Sequence, residues 1–154
     1  MKILVISDSH GNIANIKLAM GFAGKIKAEA IIHCGDWDNL RAVEEVLQSR
    51  IPLYTILGNA DIHSEVKDLL ERKAKEFNEK FLNISLGKRK IGIVHKIGDI
   101  EINEQDIIFS GHRHFKEEKM KGNVKLIRPG SLCLIESSFA VYDTDTNGVE
   151  FFDL

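Results

Sequence analysis

The sequence predicts an α/β (α+β-like) protein in which two β-sheets pack face to face with helices on the outside. The first half of the chain alternates apolar strand segments with helical segments, a pattern that builds a parallel sheet through right-handed crossovers. After residue 80 the pattern changes to strand pairs separated by glycine-containing turns. With 154 residues the chain is long enough for a single domain, 1–154, with a substantial core.

Apolar runs and capping residues define the elements of the first half. The predicted strands cover 3–6, 30–33 and 51–57. Asn12 caps a first helix whose apolar positions between 13 and 23 follow helical spacing. A second helix is predicted over 40–47. A third begins at Ser64, with Phe77 among the positions that face inward.

Short strands joined by turns define the second half. The predicted hairpins cover 81–94, 116–127 and 133–154. Their turns lie at Gly87-Lys88, around Gly122, and near Asn147-Gly148, and a further short strand covers 107–109. The chain is therefore expected to be an α/β half joined to a strand-rich half, with two sheets face to face and helices outside.

Five short polar islands contain the side chains that bind transition metals, and all but the Gly58-Asn59 island directly follow an apolar, β-branched run. The islands are Asp8-Ser9-His10, Gly35-Asp36, Gly58-Asn59, His95 and Gly111-His112-Arg113-His114. Ligands of α/β sheets gather beyond the carboxyl ends of strands, so seven donors are expected on one rim. Each residue alone also fits an ordinary role, such as a turn, a helix cap or a hydrogen-bonded strand histidine. Together they supply enough ligands for two cations and a bridging carboxylate.

Composition and charge exclude several classes of partner. Hydrophobic residues make up 44% and charged residues 29%, with a net charge of −2, which gives no case for a dedicated nucleic-acid surface. The apolar run at the N-terminus stops at Ser7-Asp8, so it is interpreted as a strand and not a signal peptide or a membrane anchor. Cys34 and Cys133 lie in apolar surroundings and are predicted to be reduced, buried thiols of a cytoplasmic protein.

The five islands closely resemble the signature of the calcineurin-like metallophosphoesterase family, which runs Asp-x-His, Gly-Asp, Gly-Asn, His, Gly-His-x-His. Arg128-Pro129-Gly130-Ser131 is similar to the Asn-Pro-Gly-Ser turn of the small, single-domain bacterial and archaeal branch. The resemblance covers essentially the whole chain. It implies a four-layer αββα sandwich of two mixed sheets flanked by helices, and metal-dependent hydrolysis of a small phosphodiester or phosphomonoester substrate.

The resemblance also implies a role for each polar residue. The first metal would be held by Asp8, His10, Asp36 and His114. The second would share Asp36 and add Asn59, His95 and His112. Such mixed carboxylate, amide and imidazole donors suit divalent transition metals, with Mn²⁺ favoured and Ni²⁺, Fe²⁺ or Zn²⁺ also fitting. Two cations would make a hydroxide available for attack on phosphorus, and the expected catalytic residues are Asn59, His95 and Asp61.

Three departures from the family pattern keep other functions open. Ala60 replaces the histidine that assists the leaving group in many relatives, a role that nearby His63 could take over if it does not simply face solvent. Lys96 replaces the usual glycine after His95. The stretch from His95 to His112 is shorter than in most relatives and too irregular for the usual helix. A retromer scaffold subunit shares this fold and serves mainly as a binding surface, so a non-catalytic interaction module is the main alternative. A nuclease is a third, and the family leaves both a homodimer and a homotetramer open.

The absence of an acid at Ala60 predicts how activity depends on the leaving group. An alanine cannot donate a proton, so esters with basic alkyl leaving groups should react slowly and aryl esters faster. A series of matched phosphodiesters ordered by leaving-group pKa measures this dependence. Equal rates across the series would show that the missing histidine has no consequence.

Overall fold

The computed structural model describes residues 1–154 and contains eleven strands and three helices. The strands are β1 (Lys2–Ile6), β2 (Ala30–His33), β3 (Leu53–Ile56), β4 (Glu76–Asn78), β5 (Phe81–Leu86), β6 (Arg89–Val94), β7 (Ile107–Ser110), β8 (Lys116–Lys121), β9 (Val124–Pro129), β10 (Ser138–Asp143) and β11 (Gly148–Asp153). The helices are α1 (Ile13–Ile26), α2 (Leu40–Leu47) and α3 (Ser64–Lys73), with one 3₁₀ turn at Ile97–Asp99. None of the helices combines the length and the apolar composition that crossing a membrane requires.

The strands form two mixed sheets. The first sheet has six strands in the order β11-β10-β1-β2-β3-β4, in which β1 to β4 are parallel, β10 is antiparallel to β1, and β11 is antiparallel to β10. The second has five strands in the order β5-β6-β7-β9-β8, with a parallel centre and antiparallel edges. The predicted fold class is therefore confirmed.

The central core lies between the two sheets. Alternate residues of β1 point to opposite faces, as the two-residue repeat of a strand requires. Ile3 and Val5 belong to a cluster that also contains Ile93 and Phe109 of the second sheet. The helices pack against the other face of the first sheet, where Leu4 and the other alternate residues of the strands meet α1, α2 and α3. Each strand at the centre of the first sheet is thus buried on both faces.

The outer face of the second sheet is covered without an α-helix. Val94, Ile108 and Leu126 form a small cluster there with Ile100, which follows the 3₁₀ turn. The irregular stretch predicted between His95 and His112 is confirmed, and it reduces the fourth layer of the sandwich to a turn and a loop.

The end of the third helix was predicted incorrectly. Helix α3 ends at Lys73, and Phe77 lies on strand β4, where it is paired with Thr55 of β3. The chain leaves the helix because β3 offers an unpaired edge, and Lys75 N donates to the carbonyl of Leu53. Phe77 still packs against the cluster under the helices, so its inward direction was predicted correctly.

Two local predictions can be compared directly with the structure. Gly87 and Lys88 both have positive φ values, 54° and 65°, which is the two-residue turn that matches strand twist in a hairpin. Both cysteines are free, and Cys34 is buried as predicted. Cys133 is half-buried instead, because it lies on the loop between β9 and β10.

Truncation of a leucine on α3 tests the layer under the helices. Leu70 is fully buried, so Leu70→Ala should lower the free energy of unfolding by about 2–5 kcal/mol through lost burial and the cavity left behind. Leu18→Ala is the matched control, because Leu18 lies on α1 with 57% of its surface exposed. Urea denaturation should show a change below about 0.5 kcal/mol for the control, and equal losses would contradict this packing.

Candidate metal centre

All seven predicted ligands lie beyond the carboxyl ends of parallel strands. The ligands of the first sheet, which follow β1, β2 and β3, are Asp8, His10, Asp36 and Asn59. The ligands of the second sheet, which follow β6 and β7, are His95, His112 and His114. The two sheets pack with these ends side by side, so the polar loops converge on one rim, as predicted from sequence.

Four of these side chains form a compact group. The ligand atoms of Asp8, His10, Asp36 and His114 all lie within 4.8 Å of one another. His114 Nε2 is 3.2 Å from Asp8 Oδ1, and His10 Nε2 is 3.5 Å from Asp36 Oδ2. Both carboxylates are buried, and both imidazoles are partly exposed. The group is therefore open to solvent on the histidine side.

A second group forms around His95, which is 4% exposed. Its Nδ1 is 2.9 Å from the carbonyl oxygen of Cys34, and a carbonyl can only accept, so Nδ1 carries the proton. In the neutral ring Nε2 then presents a lone pair to Asn59 Oδ1 at 3.1 Å and to Asp36 Oδ2 at 3.4 Å. Three acceptors face one another, an arrangement that a cation between them would stabilise.

The carboxylate of Asp36 belongs to both groups. Its Oδ2 faces His10 and His95, and its Oδ1 accepts a hydrogen bond of 2.8 Å from the backbone N–H of Ala60. Burial alone would raise its pKa, but the contact with His95 and the bond from Ala60 outweigh burial and bring the pKa to about 2. Asp36 is therefore ionised at neutral pH.

Asp8 lies in the most enclosed part of the site. Burial raises the pKa of its carboxyl, and the backbone N–H of His112 donates to both carboxylate oxygens at 3.1 Å.

The ring of His112 lies with its centroid 5.1 Å from that of His95. Partial desolvation and the neighbouring His95 and Lys96 lower the pKa of His112, which favours its neutral, ligating form. His95 differs, because burial lowers its pKa but the contact with Asp36 and the hydrogen bond to the Cys34 carbonyl together outweigh burial and raise the pKa.

Backbone strain is concentrated at this rim. Ten non-glycine residues have positive φ, and five of them are predicted ligands: Asp8, His10, Asp36, His112 and His114. Such conformations each cost on the order of 1–3 kcal/mol and persist where the surrounding structure holds them. Their coincidence with the islands marks the rim as a functional site.

Two glycines of the islands are required by close packing of the loops. A Cβ on Gly58 would lie 2.1 Å from Asp36 Oδ1, and one on Gly111 would lie 2.1 Å from Ser7 Oγ. Any side chain at these positions would displace a carboxylate or the loop that carries it. The Gly-Asn and Gly-His pairs of the sequence thus have a steric cause.

Asp61 holds the loop that carries Asp36. Its Oδ2 accepts hydrogen bonds from the backbone N–H groups of Asp36 and Gly58, and its Oδ1 accepts from those of Trp37 and Asp38, at 2.7–2.9 Å. Burial raises the pKa of this carboxyl, and the N–H groups oppose that rise. A catalytic role for Asp61 stays a prediction. The structure places its carboxylate on the backbone of the Asp36 loop.

His33 and Trp37 support the same loops from below. His33 is fully buried; its Nδ1 accepts from the N–H of Gly35 at 3.1 Å, so Nε2 donates to Ser9 Oγ at 3.1 Å. Trp37 is also fully buried, and its ring stacks on His33 at 3.5 Å. Complete burial lowers the pKa of His33 well below its usual value, which keeps the ring neutral. Both residues therefore pack beneath the site and do not line it.

Other residues of interest lie at the edge. Lys96 is exposed and lines a pocket of about 180 Å³ together with Asn59 and His95, and it makes no ion pair. Arg113 is exposed as well. Ser131, from the motif near the end of the chain, donates to the carbonyl of Asp8 at 3.0 Å. No role for Ser131 could be predicted from the sequence, because a hydrogen bond to a backbone carbonyl leaves no pattern in the residue types around it.

The residues fit divalent cations. His10 Nε2 is shielded from solvent and has no hydrogen-bond partner, although a carboxylate oxygen lies 3.5 Å away. On the other side, the neutral ring of His95 directs its Nε2 lone pair at two further acceptors, Asn59 Oδ1 and Asp36 Oδ2. Carboxylate, amide and imidazole donors of this kind match divalent transition metals.

Comparison with known proteins agrees with this geometry. Residues 1–147 match the model of the calcineurin-like phosphoesterase superfamily domain. The chain belongs to that superfamily. A curated relative, phosphodiesterase MJ0936 of Methanocaldococcus jannaschii, is 27% identical over 145 residues and is matched over 86% of this chain and 85% of its own.

Solved structures have the same architecture. An archaeal phosphodiesterase superposes with a TM-score of 0.89 at 25% identity, over 100% of both chains. The phosphoesterase YfcE of E. coli has a TM-score of 0.76 at 16% identity, over 99% of this chain and 98% of its own. Vacuolar protein sorting 29 of Cryptosporidium parvum has a TM-score of 0.66 at 16% identity, over 99% and 96%. All three proteins share the fold of this chain. The archaeal protein and YfcE are described as phosphoester hydrolases.

Removal of the Asp61 carboxylate tests its hold on the loop. Asp61→Ala leaves four backbone N–H groups without their acceptor, so the free energy of unfolding of the chelator-treated protein should fall by about 2 kcal/mol or more. Asp68→Ala is the control, because Asp68 is an exposed aspartate on α3. Urea denaturation compares the two variants. A loss for Asp61→Ala no larger than for the control would show that the loop is held by other contacts.

Proposed function

We propose that this protein is a phosphodiesterase whose seven ligand side chains hold two divalent transition-metal ions. The observation that supports this proposal most directly is the position of Asp36 Oδ2, 3.5 Å from His10 Nε2 and 3.4 Å from His95 Nε2. A carboxylate oxygen that faces imidazoles of two neighbouring groups could serve as a ligand to both cations. The kinship with phosphodiesterase MJ0936 supports the same reaction.

The seven residues divide into two sets that share one carboxylate. The first cation would take Asp8, His10, Asp36 and His114. The second would take Asp36, Asn59, His95 and His112. Mn²⁺ is the favoured ion, and Ni²⁺, Fe²⁺ and Zn²⁺ suit the same donors. When bound, the two cations would supply positive charge for the phosphoryl oxygens and lower the pKa of water toward neutrality.

The protein contributes orientation and fixed protons. His95 keeps its proton on Nδ1, bonded to the Cys34 carbonyl, so that Nε2 keeps its lone pair toward the site. Asn59 turns its oxygen to His95, which leaves its exposed Nδ2–H₂ group free to donate to a phosphoryl oxygen. Asp61 acts through the loop that it holds, as a positioning residue for Asp36.

Ala60 determines which leaving groups depart readily. Its backbone N–H is already committed to Asp36, and its methyl group offers no proton. The departing oxygen must therefore leave as a stable anion or take a proton from solvent. Aryl phosphodiesters satisfy the first condition, which makes them suitable probes.

The test is hydrolysis of bis-p-nitrophenyl phosphate by chelator-treated protein with Mn²⁺, Ni²⁺, Zn²⁺ or Mg²⁺ added back. We expect turnover that depends on the metal and is strongest with Mn²⁺. An Asn59→Ala, His95→Ala double variant should lose at least about a hundredfold in kcat/KM, since it removes two ligands of one cation. The matched control is an Asn123→Ala, Gln48→Ala double variant, whose residues are exposed and lie outside the ligand set.

The outcomes separate the enzyme from a binding module. Metal-restored turnover that the site variant lacks and the control keeps would establish the phosphodiesterase site. Absence of turnover with every metal, although two cations bind per chain, would overturn the enzymatic proposal and favour an interaction scaffold of the same fold.

A further inference from the structure

An apolar pocket lies directly beside the candidate metal centre. It has a volume of about 470 Å³, and its lining includes His114, Phe115, Leu134, Ile135 and Leu154. The chain exposes eight large hydrophobic side chains, and four of them line this pocket. Ile135 is fully exposed and Phe115 is 49% exposed. A concentration of exposed apolar surface of this kind indicates a binding site.

The basic side chains around the pocket are already paired with carboxylates, and the wall also carries one glutamate outside any ion pair, Glu136. Lys116 Nζ lies 2.5 Å from Asp153 Oδ1, both on the wall of the pocket. Arg128 pairs with Glu117, and its guanidinium carbon lies 5.4 Å from the centroid of the Phe115 ring. The walls therefore leave no free cation for a second phosphate. They suit a neutral, apolar ligand.

The loop that carries the apolar residues is anchored to the metal site. At its start, Ser131 Oγ donates to the carbonyl of Asp8. Asn15 on α1 holds the two sides of the loop, donating to the carbonyl of Leu132 at 2.8 Å and to Ser137 Oγ at 2.9 Å. The base of the loop is thus fixed to the ligand-bearing strand, and its tip presents Leu134 and Ile135 to solvent.

The opposite side of the metal centre has a different character. The pocket next to Asn59 and His95 is lined by Lys80, Lys96 and Asp99 among others, and it has a single apolar residue. A phosphodiester held at the ligand cluster therefore has an apolar surface on the His114 side and a charged surface on the other. The two ester substituents would meet different environments.

We propose that the pocket beside His114 binds an aromatic substituent of the phosphodiester substrate, with Phe115 as the stacking surface and Ile135 as the covering side chain. The proposal rests on the proposed function, because it places the phosphate at the metal cluster. An aromatic group fits better than a short alkyl group, because an exposed ring gains from a second ring beyond the area that is buried.

Calorimetric titration of Mn²⁺-loaded protein with diphenyl phosphate and with dimethyl phosphate tests this proposal without requiring turnover. Wild-type protein should bind diphenyl phosphate the more tightly. Phe115→Ala and Ile135→Ser should each weaken diphenyl phosphate roughly tenfold and leave dimethyl phosphate unchanged. Met120→Ser is the matched control, because Met120 is an exposed hydrophobic residue on β8 outside the pocket.

Each other outcome overturns the proposal in a recognisable way. Equal affinities for the two phosphates, or variants that bind diphenyl phosphate like wild type, would show that the pocket does not hold the substituent. If the Phe115→Ala or Ile135→Ser variant is a monomer in light scattering where the wild-type protein is a dimer, and its affinity for diphenyl phosphate is unchanged, the pocket is a contact between two copies of the chain. Failure of the proposed function is distinct, because it appears as absent hydrolysis of bis-p-nitrophenyl phosphate.

Discussion

The hydrogen bond from His95 Nδ1 to the Cys34 carbonyl joins the two sheets at the end where the polar loops meet. His95 follows a strand of the second sheet and Cys34 follows a strand of the first. The N–H of His112, from the second sheet, likewise donates to the carboxylate of Asp8. The ligand set therefore belongs to neither sheet alone. It exists because the apolar layer between the sheets fixes their relative position. The geometry of the site therefore depends on the packing of the core.

Most of the architecture could be predicted because apolar runs end where the polar islands begin. The return of the chain to the first sheet could not. Strand β10 pairs antiparallel with β1, yet the alternation in the last hairpin would suit an edge of either sheet. The strand at Phe77 was also missed, since its inward apolar side chain fits a helix and a strand equally. In both cases the deciding factor is an unpaired strand edge that is distant in sequence.

Within the site, side chains were predictable and backbone partners were not. Seven predicted ligand residues in a fixed order form a pattern that is visible in the sequence, and the structure brings all seven to one rim. The Cys34 carbonyl and the four N–H groups bound by Asp61 are present in almost any residue, so they leave no mark in the sequence. Asp61 illustrates the difference. The family resemblance predicts a catalytic role for it, which stays a prediction, and the structure shows that its carboxylate accepts hydrogen bonds from a loop backbone.

The attachment of the Asp36 loop to Asp61 has a consequence for how the site is loaded. Both oxygens of Asp61 bond to protein N–H groups, so the loop keeps its strained shape through contacts that involve no ion. Preassembled ligands lose little conformational entropy on capture of an ion, which favours affinity. A divalent ion could then bind and leave without rearrangement of this loop, and the occupancy of the site would follow the supply of free ions in its surroundings.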